Sequence, residues 1–250
     1  MISLTQLLAR QLLPDADRPQ YRLRGNLNLY KSSALEELVT QAAAGRCLRV
    51  VSLSEAQQGT TPEAIEVCLC EDDYPGWLAI ADLEQLDIAD PPYQAIALSE
   101  ADIRTRVQGA IDFANAAMAQ PNQYLWGGTV GPNYDCSGLV QTAFASVGIW
   151  LPRDAYQQEG FTQAISPSAL QPGDLVFFGP PAKATHVGLY LGDGCYIHSS
   201  GKDQGRNGIG IDRLSEAGDR ISQTYFAQLR GAGRVVACYQ PSNYTRQTNL

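Results

Sequence analysis

The sequence contains only two histidines, His186 and His198, and they lie twelve residues apart. Each falls in an apolar segment of strand-like alternation, and the Gly-Asp-Gly tripeptide at 192–194 between them predicts a β-hairpin. A loop with an odd number of residues, centred on Gly192, would pair His186 directly with His198. A two-residue Asp-Gly turn would instead place them on opposite faces. We expect the odd loop, because it gives both imidazoles a shared face.

One of the six cysteines lies in a setting suited to chemistry. Turn residues before Cys136 give way to Leu139, Val140 and Phe144 at helical spacing, which predicts a helix with Asp135 as its N-cap. The positive end of the helix dipole and the free backbone N–H groups there favour a thiolate. The other five cysteines lie inside strand patterns, where a thiol is usually a small buried hydrophobic group.

The order of these groups along the chain predicts nucleophilic catalysis. Cys136 would attack, His186 would accept its proton as general base, and His198 would orient the base. The alternative for His186 is a hydrogen-bonded core histidine. The sequence has no Cys-x-x-Cys pair, so we expect neither a metal site nor a cofactor.

Two regions of different periodicity surround these residues. Before residue 90, period-two segments predict four strands, at 21–29, 46–53, 64–70 and 76–80, with one helix at 34–44. This pattern predicts a small SH3-like β-barrel over residues 1–90. The paired prolines Pro91 and Pro92 then predict a linker over 91–98.

The second region begins with helices and ends with strands. A capping-box pattern at Ser99 predicts a helix that ends before Pro121, and a second helix covers 136–147. The predicted strands are 174–178, 186–191, 195–199, 208–211 and 232–239. This α+β layout predicts a domain over 99–240, followed by a tail at 241–250.

Five motifs in this region occur in a characteristic order. They are YLWGG at 124–128, DCSGLV at 135–140, LPR at 151–153, LQPGDLVFF at 170–178 and HVGLYLG at 186–192. Together they resemble the NlpC family of bacterial cell-wall cysteine peptidases, over about residues 100–240. The preceding region resembles the bacterial SH3-like domains that are often joined to this family.

The resemblance implies a papain-like α+β fold in which Cys136, His186 and His198 are the nucleophile, the base and the orienting residue. It also implies that the Tyr124 hydroxyl helps the Cys136 backbone N–H to hold the oxyanion, the alternative being an aromatic packing role. Family members cut murein stem peptides between γ-linked D-glutamate and the following diamino acid.

The charge of the chain is uneven. Residues 1–100 hold 15 Asp and Glu against 7 Lys and Arg, a net charge of −8, and the remaining residues balance to zero. We therefore expect no nucleic-acid partner, and we expect repulsion from anionic wall polymers and membranes. Arg10 interrupts the N-terminal apolar stretch, which makes it a poor secretory signal. These features predict a cytoplasmic enzyme that acts on released murein stem peptides with a free L-alanine amine.

The expected substrate-binding residues are Asp73, Tyr74, Asp135, Ser137, Trp126 and Arg153. Asp73 and Tyr74 end an acidic run and are expected to bind the substrate ammonium group, with Asp135 as a second acidic partner. The alternative for this run is a solvated loop. Arg153 either meets a substrate carboxylate or pairs with Asp154, and Trp126 either contacts substrate or packs.

Two other functions are compatible with the same residues. One is acyl or amide transfer through the same thioester intermediate, which differs only in the group that resolves it. The other is a non-catalytic module that binds wall peptides. Product analysis with amine acceptors distinguishes the first, and full biological activity of a Cys136→Ala variant would support the second.

Overall fold

The computed structural model describes residues 2–14, 17–53 and 63–242. The chain divides into two compact units, one made of Met1–Ile96 with Tyr239–Leu250 and the other of Ala97–Cys238. Of the predicted tail at 241–250, only the first two residues belong to the described part.

The first unit is built on one antiparallel sheet. Its elements are α1 (Leu4–Gln11), β1 (Tyr21–Leu23), β2 (Leu27–Tyr30), β3 (Leu38–Ala42), β4 (Cys47–Leu53), β5 (Ala64–Leu69), β6 (Pro75–Ala79) and β7 (Leu86–Ile88). The strand order is β3-β2-β6-β5-β4-β1-β7. Leu29, Leu48 and Leu78 are fully buried in its core. The segments predicted at 46–53, 64–70 and 76–80 form strands, whereas the one predicted at 21–29 is divided into β1 and β2, and β7 was not predicted.

The helix predicted at 34–44 is wrong, because this segment contains strand β3. Leu27 lies opposite Ala42 and Leu29 lies opposite Thr40 in the pairing of β2 with β3. Ala42 and Thr40 are both fully buried by this pairing. The Ala, Leu and Glu residues of the segment favour a helix locally, but the tertiary pairing outweighs that weak preference.

The second unit combines helices with a larger antiparallel sheet, as the α+β prediction required. Its helices are α2 (Glu100–Met118), α3 (Cys136–Ala145), α4 (Ala155–Phe161) and α5 (Arg220–Phe226). Its strands are β8 (Thr129–Val130), β9 (Asn133–Tyr134), β10 (Gln163–Ile165), β11 (Leu175–Phe178), β12 (His186–Gly192), β13 (Cys195–Ser200), β14 (Gly208–Arg213) and β15 (Leu229–Arg234). The main sheet has the order β10-β15-β11-β12-β13-β14.

Two predictions for this unit need correction. The last strand was expected at 232–239 but runs over Leu229–Arg234, where it pairs with both β10 and β11. Helices α4 and α5 were not predicted, because each has only 7 residues and therefore too few turns to show a helical period.

Strand β11 shows how the sheet is covered on both faces. Leu175 and Phe177 belong to the core cluster that contains helix α3, whereas Val176 and Phe178 belong to a second cluster that contains Tyr225. All four side chains are buried. The continuous apolar run in this strand follows from burial on both faces.

Helix α2 begins where the sequence predicts. The Ser99 side chain accepts from the backbone N–H of Asp102, and the Asp102 carboxylate accepts from the Ser99 backbone N–H. The helix ends at Met118, before Pro121. Among the described residues, no helix is long and apolar enough to cross a membrane.

Candidate active site

Cys136 is the first residue of helix α3, as predicted. The N-cap Asp135 accepts a hydrogen bond from the Gly138 N–H through Oδ1, at 2.6 Å. The Cys136 thiol is buried, and the backbone N–H groups of Val187 and Ser137 point at its sulfur. Because Val187 directly follows His186, this contact brings the thiol to the start of β12.

Two glycines allow the loop before α3 to lie against the N-terminus of that helix. A Cβ on Gly138 would collide with the Gly128 carbonyl oxygen. A Cβ on Gly128 would lie 2.6 Å from the Asn133 carbonyl oxygen. The Gly128 carbonyl also accepts from the Asp135 N–H. The YLWGG and DCSGLV motifs are therefore one packed unit around the nucleophile.

The resting state of the nucleophile differs from the sequence-based expectation. Burial, and after it the adjacent Asp135 carboxylate, raise the pKa of the Cys136 thiol to about 12. The N–H groups of Val187 and Ser137 lower it, but by less. The expected thiolate is therefore wrong for the free protein: loss of water outweighs the helix N-terminus, and the group rests as a thiol.

The turn of the histidine hairpin also differs from the prediction. Gly192 lies opposite Cys195, which leaves Asp193 and Gly194 as a two-residue turn. Both turn residues have positive φ, at 51° and 73°, as a type I′ turn requires. By parity alone, such a turn would have separated the two histidines.

A β-bulge restores the shared face. The register shifts between Tyr190 and Gly192, and beyond the shift Leu189 lies opposite Ile197. Continued along the strands, this register sets His198 opposite Gly188, one diagonal step from His186. The predicted direct pairing of the histidines is thus wrong, whereas the prediction of a shared face is confirmed.

The two imidazoles are joined edge to edge and are buried. His186 Nε2 lies 2.6 Å from His198 Nδ1, and the ring planes cross at 85°. Burial lowers the pKa of His186 well below its usual value, and His198 lowers it further. Burial also lowers the pKa of His198, against the opposing effect of Asp212. Both rings are therefore neutral at neutral pH.

Tyr225 packs against both histidines and was not predicted. Its ring stacks on that of His186, with centroids 4.4 Å apart, and meets that of His198 edge to face at 4.9 Å. Its hydroxyl lies 2.6 Å from Ser200 Oγ. Because Tyr225 lies on the unpredicted helix α5, no periodic signal pointed to it.

Asp212 is a second residue that the sequence analysis missed. Its Oδ2 lies 2.6 Å from His198 Nε2, and its Oδ1 accepts from Arg206 Nη2 at 2.6 Å. A signal did exist, because Gly210 lies opposite His198 and Asp212 lies opposite Tyr196. Pairing β13 with β14 in the sequence would have placed this carboxylate beside His198.

Tyr124 and Trp126 precede the nucleophile. Tyr124 is half-buried, and burial raises the pKa of its hydroxyl, with the Asp135 carboxylate raising it further. Trp126 is 67% exposed, so the alternative of a packing role for it is wrong.

The expectation for Arg153 needs correction, because this side chain neither pairs with Asp154 nor faces solvent. It is 1% exposed, and its guanidinium donates to both carboxylate oxygens of Asp135, at 3.1 and 2.5 Å. It also donates to Ser137 Oγ at 2.9 Å. Asp135 receives further hydrogen bonds from the N–H groups of Gly127 and Gly138. Arg153 therefore holds Asp135 and Ser137 in place rather than standing open to a substrate carboxylate.

The acidic run of the first unit is not a solvated loop. Glu71 and Asp72 are 3% and 5% exposed, and both pair with Arg46. Asp73 follows with φ at 54° and pairs with Arg49 at 2.6 Å. Of the three carboxylates, only that of Asp73 is not fully buried.

Asp73 and Tyr74 are both held within the first unit. Asp73 Oδ2 accepts from the Ser242 N–H at 2.7 Å. Tyr74 is half-buried against the core of that unit. In the part of the chain that the structure describes, no group of three or more His, Cys, Asp or Glu residues could hold a metal ion.

Comparison with known families decides what this arrangement belongs to. Residues 121–230 match the NlpC/P60 family. The second unit is an NlpC/P60 domain. Residues 29–83 match the family described as bacterial dipeptidyl-peptidase Sh3 domain, so the first unit contains an SH3-like domain. The NlpC/P60 match includes Cys136, His186 and His198.

Several relatives share this domain. The bifunctional muramidase/DL-endopeptidase CwlT of Bacillus subtilis is 43% identical over 38% of this chain and 31% of its own length. The probable endopeptidase p60 of Listeria innocua is 41% identical over 38% of this chain and 19% of its own length. A solved NlpC/P60 family protein from Bacillus cereus is 22% identical over 94% of this chain and 67% of that chain, with a TM-score of 0.44. The chain thus spans less than a third of the length of CwlT and of the Listeria innocua p60 protein. The chain shares its NlpC/P60 domain with these relatives, whose names describe them as endopeptidases.

Proposed function

We propose that the protein hydrolyses murein stem peptides between γ-D-glutamate and the diamino acid, with Cys136 as nucleophile, His186 as general base and His198 as the residue that orients the base. The observation that carries this proposal is the 2.6 Å link between His186 and His198 beside a thiol at a helix N-terminus. The neutral thiol and neutral imidazole form a matched pair, because the base can accept the proton as sulfur attacks.

Hydrolysis then follows in two steps. Sulfur attacks the γ-carbonyl carbon while His186 takes its proton, and the carbonyl oxygen becomes an oxyanion held by the Cys136 N–H and the Tyr124 hydroxyl. His186 protonates the departing amine, which leaves a thioester. Water, deprotonated by His186, attacks the thioester carbonyl; the C–S bond then breaks, the γ-glutamyl carboxylate is released, and the Cys136 sulfur takes back the proton from His186.

We further propose that the substrate is a released peptide with a free L-alanine amine, cut in the cytoplasm during wall recycling. The net charge of −8 in residues 1–100 favours a cationic amine over the anionic wall. The name of the matched Sh3 family refers to dipeptidyl-peptidases, and cleavage after L-Ala–γ-D-Glu would release a dipeptide. Asp73 and Tyr74 would recognise the ammonium group, and the exposed Trp126 would contact the peptide. Asp135, expected as a second partner of the ammonium group, is buried and engaged by Arg153, so it and Ser137 would support the nucleophile instead.

The test compares free L-Ala–γ-D-Glu–diaminopimelate peptides with intact sacculi, and reads the products by mass spectrometry, with Cys136→Ala as control. Cleavage of free peptides alone supports the proposal, and release from sacculi would overturn the recycling role. Asp73→Asn should raise KM for free-amine peptides but not for N-acetylated ones. Glu37→Gln, which removes an exposed charge from the same unit, is the matched control.

A further inference from the structure

The line of buried polar groups behind His186 does not end at His198. His198 Nε2 lies 2.6 Å from Asp212 Oδ2, and Asp212 Oδ1 lies 2.6 Å from Arg206 Nη2. Asp212 is 3% exposed, and its side chain is held between the imidazole and the guanidinium. Three consecutive contacts of 2.6 Å therefore connect His186 to Arg206.

The chemistry of these groups determines where each proton lies. An ionised carboxylate only accepts hydrogen bonds, so His198 must carry its proton on Nε2. A neutral imidazole has one N–H, so His198 Nδ1 is an acceptor, and His186 must donate to it from Nε2. His186 Nδ1 is then unprotonated.

We propose that Asp212, held by Arg206, is a positioning residue that fixes the tautomers of both histidines, so that His186 presents an unprotonated Nδ1 to the Cys136 thiol. This inference rests on the proposed function for its kinetic consequences only, since the tautomers are properties of the free protein. When His186 takes the thiol proton, the positive charge is stabilised through His198 by the Asp212 carboxylate.

The surroundings of the histidines leave this task to Asp212. Tyr196, Tyr225 and Phe178 present aromatic rings to the imidazoles. The Tyr225 hydroxyl is engaged with Ser200. Among the described residues, the charged or titratable groups that act on or contact the pair are therefore Asp212, Arg206 behind it and the two tyrosines.

Arg206 reaches Asp212 past a glycine. It lies in the glycine-rich stretch 201–210, and a Cβ on Gly210 would collide with its guanidinium. Gly210 is the residue opposite His198 in the pairing of β13 with β14. The absence of a side chain there lets Arg206 reach Asp212.

Replacing Asp212 by Asn tests the assignment, because an amide has only one oxygen for two donors. The charged Arg206 should take that oxygen, which turns the amide NH₂ toward His198 Nε2 and forces the proton of His198 onto Nδ1. His186 then carries its proton on Nδ1 and loses the lone pair that faces Cys136. We expect kcat to fall about 100-fold with KM unchanged, less than the roughly 10⁴-fold known for a triad carboxylate that contacts the base directly.

The chain is well suited to a direct measurement, because it contains only two histidines. Nitrogen-15 NMR of histidine-labelled protein at pH 7 separates protonated from unprotonated ring nitrogens. Both rings should carry the proton on Nε2 in the unmodified protein and on Nδ1 in Asp212→Asn. A proton on Nδ1 of either ring in the unmodified protein would overturn the proposal without any variant.

A double variant separates positioning from mere structural support. Asp212→Asn with Arg206→Met frees the amide oxygen for His198, so it should regain at least tenfold in kcat over Asp212→Asn alone. If Asp212 had only a structural role, adding Arg206→Met should lower kcat further. Asp193→Asn, which removes an exposed charge at the hairpin turn, is the matched control and should leave both tautomers and kcat unchanged.

The two readouts keep this proposal distinct from the proposed function. If NMR shows the expected tautomers but the protein cleaves no murein peptide, the positioning role is supported and the proposed substrate is rejected. Asp212→Asn with unchanged tautomers and kcat within threefold of the unmodified protein would reject the positioning role, whatever the substrate.

Discussion

The nucleophile and the base are each supported by a buried aspartate paired with an arginine, but the two pairs act on different things. Asp135, paired with Arg153, holds the backbone N–H groups of Gly127, in the preceding loop, and of Gly138, in the first turn of α3. Asp212, paired with Arg206, holds a side chain, the His198 imidazole. The first pair therefore fixes the position of the chain, and the second fixes the position of a proton.

The difference in burial follows the same division. Arg153 is 1% exposed, whereas 24% of the Arg206 side chain is exposed. Removing one partner of a fully buried ion pair leaves an uncompensated charge, which costs far more than the loss of a partly exposed partner. Substitutions on the nucleophile side (Asp135 and Arg153) should therefore mainly lower stability. Substitutions on the base side (the histidines with Asp212 and Arg206) should mainly lower the rate of catalysis.

The largest effect is expected where the two sides meet. Cys136→Ala should abolish turnover, and His186→Ala should cost nearly as much, because the thiol and the base act as a unit. The double variant should be no slower than either single variant. Steady-state kinetics on L-Ala–γ-D-Glu–diaminopimelate measures this, with Cys195→Ala, a partly exposed cysteine outside the site, as control. Additive losses in the double variant would contradict it.

The two arginines give the next largest contrast. Arg153→Met should destabilise the second unit by about 3–5 kcal/mol, because it strands the buried Asp135 carboxylate. Arg206→Met should cost less, because 24% of this side chain is exposed and His198 Nε2 still donates to the Asp212 carboxylate. Urea unfolding followed by circular dichroism measures both, with Arg104→Met, from an exposed pair on α2, as the surface control. Equal losses for Arg153 and Arg206 would show that burial does not distinguish the pairs.

The nucleophile side could be predicted from sequence because its signals are local. The N-cap Asp135, the position of Cys136 and the helical period of α3 all lie within about ten residues. Strands β4, β5 and β6 of the first unit were predicted for the same reason. The prediction of a helix at 34–44 was wrong because the strand in this segment depends on pairing with β2, a contact that local preference does not encode.

The base side could be predicted only in part because it depends on register. The shared face of His186 and His198 arises from a β-bulge, and no residue type in the sequence indicates this bulge. Asp212 reaches His198 through a further strand, and Tyr225 through a short helix. Burial of the whole site, which decides the protonation state of Cys136, is a property of the packed fold rather than of any motif.

A smaller effect should separate the two functions of His198. His198→Gln keeps a side chain that can accept from His186 Nε2, so we expect about a tenfold loss of kcat. His198→Ala removes the acceptor and should cost about 10³-fold, within the range of general-base catalysis. KM should stay constant in both variants. Equal losses in kcat would mean that His198 does more than orient His186.

The smallest effect concerns stability against pH, and it tests whether the base side is neutral at rest. The pKa values of His186 and His198 are both lowered in the folded protein, so folding excludes protons that the unfolded chain binds below about pH 6.5. The contribution of the histidines to stability should be constant above this pH and fall below it, by up to about 1.4 kcal/mol per pH unit for each histidine. Both histidines lie in the second unit, so their ring resonances report the unfolding of that unit alone. His198→Gln should roughly halve the slope, whereas an unchanged slope would mean that other groups cause the acid sensitivity.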